Sequence, residues 1–466
     1  SEFTFTFGNF KLPMLSARYT AITPIHVTVT TREHNGAPVA NVSIRNRERV
    51  QTWSRDNIEN FRDEPNLPDR PVLPVVSVFE IPGDGWNAIR DYYRNMLIDA
   101  TQVGPRALQA VSVLRLSGTD LEKLKTIYTL VNSRIRSDRS SLAGGNPNSA
   151  EETLALNFGN RTTTLIALAR AAGLDSDLLL ARDISAFPPV IARGAFTRPL
   201  VQVRLRNSTL VADAEFENMT LGTIAPALDR REALLVPLTK ADERTLSAIA
   251  QTQSELSVAN AELRISPEGD LDVRFTMRLG ALRSAQIRNT LSSPDSGGRQ
   301  EYLNQLASRI FPGAKDIAGD VANQFELDRP LEVNVRCRVP EFLDLSGSQI
   351  QMNQLVPTLG LRRMYASANS RTFPLYIDTP SVESTTFRVT LPPDMRISRK
   401  IDNANLRTEF GSYAVTLRDL GDNTFEITRK FEIPVQVIAP AKYGPFQSFA
   451  GEIDEAETQR IKLARQ

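Results

Sequence analysis

Apolar residues repeat with period two at both ends of this chain and with period three to four in its middle. That switch restricts the fold more than any single motif. Near the N-terminus Ile25-His26-Val27-Thr28-Val29-Thr30 and Val39-Ala40-Asn41-Val42-Ser43-Ile44 alternate, with Asn35-Gly36 as a turn signal between them. Trp86, Ile89, Tyr92, Tyr93 and Met96 then fall at helical spacing. A second helix follows an N-cap at Thr119-Asp120, with Leu121, Leu124, Ile127, Tyr128, Val131 and Ile135 as its stripe. Ser149-Ala150-Glu151-Glu152 is a capping box that predicts a short helix through Leu156. Strands are predicted at Leu178–Ala181, Leu200–Leu205 and Thr209–Ala212. From residue 257 the alternation returns, beginning with a hairpin of Ala261–Ile265 and Leu271–Phe275 around Glu268-Gly269-Asp270. Further strands are predicted at 331–335, 386–391, 413–417, 425–427 and 431–433, and an amphipathic helix at 298–312.

This order predicts an α+β chain. Its 466 residues exceed one ordinary core, so several domains are expected. The boundaries read as a β domain over 1–84, an α+β core over 85–240, a linker or helix over 240–256, a second β domain over 257–450 and a charged helical tail over 451–466. Ser1-Glu2-Phe3 reads as a cloning scar ahead of an excised fragment. No run of apolar residues is long enough for a membrane-spanning helix.

Within the core, Asn157-Phe158-Gly159-Asn160-Arg161-Thr162-Thr163-Thr164 leads into Leu165-Ile166-Ala167-Leu168-Ala169 and stops at Gly173. It predicts a tight turn at Gly159, a helix with Leu165, Ile166, Leu168 and Ala169 as its stripe, and a glycine stop.

The residue totals exclude much chemistry. Formal net charge is +1, which gives no electrostatic case for nucleic acid or an anionic membrane as partner. The chain has one cysteine, Cys337, and two histidines, His26 and His34. Zinc ligation, an internal disulfide and a cofactor site find no ligand set. His34 reads as a solvated turn residue and His26 as a strand residue, neither as a catalytic base. Alternation in Val333-Asn334-Val335-Arg336-Cys337-Arg338-Val339 puts the thiol on a core face. The acidic turns at Asp69, Asp270 and Asp419–Asp422 lack calcium-loop spacing.

The 157–174 segment resembles the nucleophile segment of the bacterial transglutaminase-like (papain-type) superfamily. In order along the chain, Thr52-Trp53, Gly85-Trp86, Tyr92-Tyr93, Phe410-Gly411-Ser412-Tyr413 and Tyr443-Gly444-Pro445-Phe446 are similar to a DUF3857-type family of bacterial exported proteins. The resemblance implies a transglutaminase-like α+β core flanked by N-terminal and C-terminal antiparallel β-sandwich-like domains, and an extracytoplasmic location in the periplasm or cell envelope. In active relatives a Cys at the helix N-terminus is activated by a His on a following strand and an Asp on the next. Carried over, these positions are Arg161, Pro199 or Leu200 (Leu200 preferred), and Asp213. Arginine keeps its proton and cannot attack, and residues 100–330 contain neither Cys nor His.

The expected function is therefore a non-catalytic protein- or peptide-binding or scaffolding module, with Arg161 and Asp213 as its remnant binding residues and no cofactor. Arg161 is expected either to pair with Asp213 or Glu152 and hold the site shut, or to capture a partner's carboxylate. Two alternatives stand beside this. One is a peptidase or acyl transferase using Asp213 with a hydroxyl such as Thr162. The other is a carbohydrate-binding β module presenting Trp53, Trp86 and Tyr92-Tyr93, although packing between the N-terminal β domain and the core helices is the expected use of these rings.

Overall fold

The computed structural model describes residues 2–80, 83–138, 147–188, 190–238, 246–250, 254–292, 297–347 and 350–465. The N-terminal region holds β1 (Glu2–Thr6), β2 (Met14–Pro24), β3 (Val29–His34), β4 (Asn41–Arg45), β5 (Glu48–Ile58) and β6 (Val75–Glu80). They form two three-stranded antiparallel sheets, β1-β6-β3 and β2-β5-β4. Phe7, Ala17, Trp53, Ile58, Val76 and Val78 fill the space between them. Glu2 and Phe3 belong to β1 and pair with Phe79 and Val78. Asn35 and Gly36 do turn with positive φ. The strands either side go to different sheets, however, so they form no hairpin. His26 is exposed in a turn and lies outside any strand. His34 ends β3 and stacks on Phe187 at 3.8 Å between ring centroids, so it is not the free turn residue expected.

The central region contains α1 (Trp86–Ala100), α2 (Pro105–Leu114), α3 (Asp120–Arg134), β7 (Arg136–Ser137), α4 (Ala150–Leu156), β8 (Phe158–Gly159) and α5 (Arg161–Ala171). The strands β9 (Asp175–Ala181), β10 (Arg198–Leu205), β11 (Ser208–Ala212), β12 (Glu232–Val236) and β13 (Leu246–Ala248) follow. These five make an antiparallel sheet in the order β11-β10-β9-β12-β13. The expected linker at 240–256 contributes β13 and the start of the next strand, and its residues 240–245 and 251–253 lie outside the described residues. Both capping boxes form, Thr119 with Glu122 and Ser149 with Glu152. One face of the sheet, carrying Leu178, Leu180, Val201 and Val203, packs on the helices. The other, carrying Leu179, Ala181, Leu200 and Leu235, packs on Ile224, Leu228 and Ile249.

The C-terminal region runs β14 (Leu256–Ile265), β15 (Leu271–Arg278), α6 (Ala281–Ser292), α7 (Gly298–Ile310), β16 (Lys315–Ala322), β17 (Glu332–Val339), β18 (Ile350–Gln351), α8 (Leu361–Tyr365) and β19 (Leu375–Ile377). It continues through β20 (Ser381–Thr390), β21 (Met395–Arg399), β22 (Ala404–Thr408), β23 (Gly411–Gly421), β24 (Thr424–Ile433), β25 (Gln436–Ile438), α9 (Tyr443–Thr458) and β26 (Lys462–Arg465). Eight strands form one sheet, β16-β17-β15-β14-β20-β24-β23-β22, antiparallel except where β14 meets β20. Leu303 and Leu306 of α7, Phe446, Phe449 and Ile453 of α9, and Leu463 of the small sheet β18-β26-β21 cover its apolar face. The tail expected to be helical over 451–466 is instead the second half of α9 followed by β26. Ile461 and Leu463 are buried there, which fixes the end of the chain onto the region's core.

A buried arginine joins the last two regions. Arg288 of α6 donates to the carbonyls of Asn323, Glu326 and Arg329, and on the central side to Thr220 Oγ1 at 3.1 Å and the Asn218 carbonyl at 3.4 Å. Burial lowers its pKa to about 10, against the pull of Tyr128 and nearby carboxylates. The guanidinium thereby holds the loop that follows β11, where the candidate site lies. None of the described helices is long and apolar enough to cross a membrane.

Candidate functional site

The site forms where α5 begins. Gly159 has φ +145, and a Cβ there would lie 2.5 Å from Thr153 Oγ1, so the turn requires glycine. Asn160 is the N-cap, and its side chain accepts from the Thr163 amide at 2.9 Å. From Arg161 through Ala169 every α5 residue is buried, the three threonines included. The helix is therefore enclosed all round, where the sequence predicted one apolar stripe.

The helix N-terminus is occupied by the chain's own carboxylate. Glu215 Oε1 accepts from both the Thr162 amide and the Thr162 hydroxyl at 2.9 Å, and Oε2 accepts from Ser137 Oγ at 2.6 Å. A carboxylate at that point is favoured by the unpaired amides and the helix dipole. It takes the position in which a thiolate would be stabilised in a cysteine enzyme.

Arg161 is 4% exposed. Its Nε donates to the Ile135 carbonyl at 2.7 Å, and Nη2 lies 3.4 Å from the Asn132 carbonyl and 3.7 Å from Glu217 Oε1. Burial lowers its pKa, and Glu217 and Glu215 oppose that shift. A nearby carboxylate was expected, but not these two. Glu152 is committed to Ser149 in the capping box, and Asp213 contributes no hydrogen bond or ion pair to Arg161 among the described residues.

Asp213 follows β11 and is 2% exposed. Oδ1 accepts from the Phe216 amide at 3.1 Å, and Oδ2 meets no donor among the described residues. Desolvation raises its pKa to about 6, opposed chiefly by Arg198. The Tyr128 hydroxyl lies 3.0 Å from the Asp213 carbonyl and 3.1 Å from that of Met219, which fixes the loop against α3.

Leu200, the residue preferred for the His position, is corrected by strand parity. It points into the cluster on the far side of the sheet, away from α5. Pro199 and Val201 are on the other parity. Of the three positions carried over from the resemblance, Arg161, Leu200 and Asp213, Leu200 thus lies on the face of the sheet turned away from α5. The residues that surround Arg161 and the α5 N-terminus, namely Ser137, Glu215 and Glu217, were absent from the sequence reading. The one available signal was the alternation Asp213-Ala214-Glu215-Phe216-Glu217, three acids at the end of a predicted strand facing an arginine.

The rings named for a carbohydrate platform are packed instead. Trp53 is fully buried, stacks on Tyr19 and donates Nε1 to Glu33. Trp86 meets Phe196 edge-on, and Tyr92 meets Tyr93 likewise. Each tryptophan packs within its own region, not across the two. Cys337 is buried on β17, as alternation predicted, with its thiol pKa pushed up to about 11 by burial.

Residues 351–463 match the model of a domain of unknown function with a solved structure, DUF3858. The chain is similar in fold to the crystal structure of a "putative protease" from Parabacteroides distasonis. The match has a TM-score of 0.62 and 14% sequence identity, and it covers 99% of this chain and 74% of that one. The mixed α+β architecture is thus one seen in a solved protein. No curated protein matches the chain.

Proposed function

We propose that this chain is a non-catalytic, transglutaminase-like protein acting as a protein- or peptide-binding or scaffolding module of the bacterial cell envelope. The observation that supports it best is the self-occupied helix N-terminus. Glu215 takes the Thr162 amide and hydroxyl, so the donors that would stabilise a nucleophile or an oxyanion are already used. Arg161 is buried against carbonyls and Glu217, which leaves it holding the site together and not open to a partner's carboxylate. The envelope location rests on the family resemblance.

One geometry favours a second reading and has to be tested with the first. Ser137 Oγ lies 2.6 Å from Glu215, a hydroxyl against a carboxylate. Against catalysis by that pair, both Glu215 oxygens are engaged and the neighbouring α5 amide is unavailable as an oxyanion donor. The carbohydrate reading is weakened by the burial of Trp53 and Tyr93, while Trp86 and Tyr92 are half-buried against Phe196 and Tyr93.

The binding role is tested by affinity capture from bacterial envelope extract, followed by titration of the purified partner against the wild type and Arg161→Ala. A stoichiometric complex of equal affinity in both supports a module that binds through its β regions. Absence of any saturable partner contradicts the proposal.

A further inference from the structure

The start of α5 is filled from within, so a ligand has to be met elsewhere. A pocket of about 310 Å³ opens where the three regions meet. The N-terminal region contributes His34, Asp69 and Arg70, and the loop between β9 and β10 contributes Arg182, Asp183 and Phe187. From the C-terminal region the Tyr376 hydroxyl donates to Asp183, 3.0 and 3.1 Å from its two oxygens. Junctions between folded regions are where small-ligand pockets concentrate.

The two signs of charge gather at different ends of this pocket. Phe187 is the centre of the cationic end. The His34 ring stacks on it at 3.8 Å, the Arg70 guanidinium lies over it at 5.0 Å, and Arg182 Nη1 donates to its carbonyl at 3.3 Å. The Tyr376 hydroxyl is the centre of the acidic end. Burial raises its pKa, and Asp183, Asp69 and Asp378 add to that shift. Neither Asp69 nor Asp183 forms an ion pair with Arg70, Arg182 or Arg198 among the described residues. The full count of charges leaves no excess of either sign. Three arginines face Asp69 and Asp183 in the lining, and Arg198 also faces the buried Asp213. Arg32 with Glu33 flanks His34, and Arg231 with Glu232 flanks Arg182. Burial, with Arg32 and Arg70, lowers the His34 pKa, so its ring is neutral near neutral pH. Two buried polar groups of the wall, Ser185 Oγ and Arg182 Nε, have no hydrogen-bond partner among the described residues.

We propose that this pocket binds a small zwitterion with an apolar side chain, a free amino acid or a dipeptide, its carboxylate on Arg70 and Arg182 and its ammonium on Asp69 and Asp183. Guanidinium and carboxylate groups that leave each other unpaired are both matched by a ligand carrying both signs. Pro188, Val190 and Ala195 line the wall that would receive the side chain. A volume of about 310 Å³ is at the small end for ligand pockets, which favours one or two residues over a longer chain. A phosphate brings negative charge that the aspartates oppose and has no ammonium to offer them. A sugar finds no free ring, because Phe187 is already stacked against His34 and Arg70. The pocket shares no residue with the contacts of Arg161 and Glu215, so the inference holds whether or not the proposed binding function does.

The test is isothermal titration of the full chain with L-leucine and L-alanyl-L-leucine, beside N-acetyl-L-leucine, L-leucine amide and inorganic phosphate. At least one of the two zwitterions is expected to saturate a single site, and which of them binds tighter separates the free amino acid from the dipeptide. The acetylated and amidated forms, each lacking one charge, and phosphate should bind at least ten-fold more weakly. These comparisons use the wild type alone and need no variant to fold. Asp69→Asn should remove the preference over N-acetyl-leucine, and Arg70→Gln the preference over leucine amide, while Arg45→Gln on β4 leaves affinity within two-fold. Absence of saturable binding by both zwitterions, equal binding of the acetylated or amidated form, tighter binding of phosphate, or full preference retained in either pocket variant would each overturn the proposal.

Discussion

Replacing Arg161 by alanine tests whether its guanidinium holds the start of α5 closed. The substitution removes a 2.7 Å bond from a charged donor to the Ile135 carbonyl and a longer one to Asn132. A charged hydrogen bond contributes about 2 kcal/mol, and the longer one a fraction of that. The buried stem adds roughly 1 kcal/mol of lost packing. The Glu217 pair adds little, because Glu217 is 39% exposed and 3.7 Å away. Relief of a cation at the positive end of α5 returns about 0.5 kcal/mol. The expected loss is about 3 kcal/mol. The chain has two tryptophans, so Trp86 emission in a Trp53→Phe background reports the central region alone. In that background Arg161→Ala should lower the melting temperature of the central transition by roughly 6–12 °C, and Arg161→Lys should fall between. A change below about 0.5 kcal/mol would refute the reasoning, because a guanidinium that closes the site cannot be removed at no cost.

Three further outcomes follow from the same contacts. Burial raises the folded-state pKa of Asp213 to about 6 from an ordinary 3.8. The folded state therefore holds its proton more tightly, and this contribution to stability is lost as pH rises through about 6. The stability of Asp213→Asn relative to wild type should increase between pH 5 and pH 8 by roughly 1–3 kcal/mol, read from urea midpoints, whereas a pH-independent difference would contradict the assigned cause. Arg288→Met leaves several buried carbonyls without a donor and should cost about 3–5 kcal/mol, separating the central and C-terminal transitions in calorimetry; a single unshifted transition would show that the clasp is dispensable. Cys337 should resist a thiol reagent at pH 8 until denaturant is added, and rapid labelling of the native protein would show that β17 does not bury it.

What could be read from the sequence was local. The capping boxes at Thr119 and Ser149, the Gly159 turn, α5, the β14–β15 hairpin and the inward face of Cys337 all follow from spacings within a few residues. The β2 strand was missed because its polar and apolar residues face mixed surroundings, and α2 and α6 because their apolar positions serve packing between helices. Phe425–Ile427 and Phe431–Ile433 were read as two strands, yet the charged residues between them continue the pairing of β24 with β20. Leu200 failed by one residue, which in a strand reverses the face. The self-occupied site could not be seen for a different reason. Glu215 meets Thr162 across 53 positions and Ser137 across 78, and nothing local announces such a contact. The parallel pairing of β14 with β20, residues more than a hundred apart, belongs to the same class.

The central claim of the proposed function is that the site at the start of α5 is not catalytic. The most direct measurement incubates the purified chain with a broad peptide library and a primary-amine acceptor, with products counted by mass spectrometry. The account predicts no cleaved or amine-linked peptide above the protein-free control, for the wild type and for Arg161→Cys alike, since residues 100–330 contain no histidine to serve a thiol there. Turnover by the wild type that disappears in Ser137→Ala or Thr162→Val would contradict it.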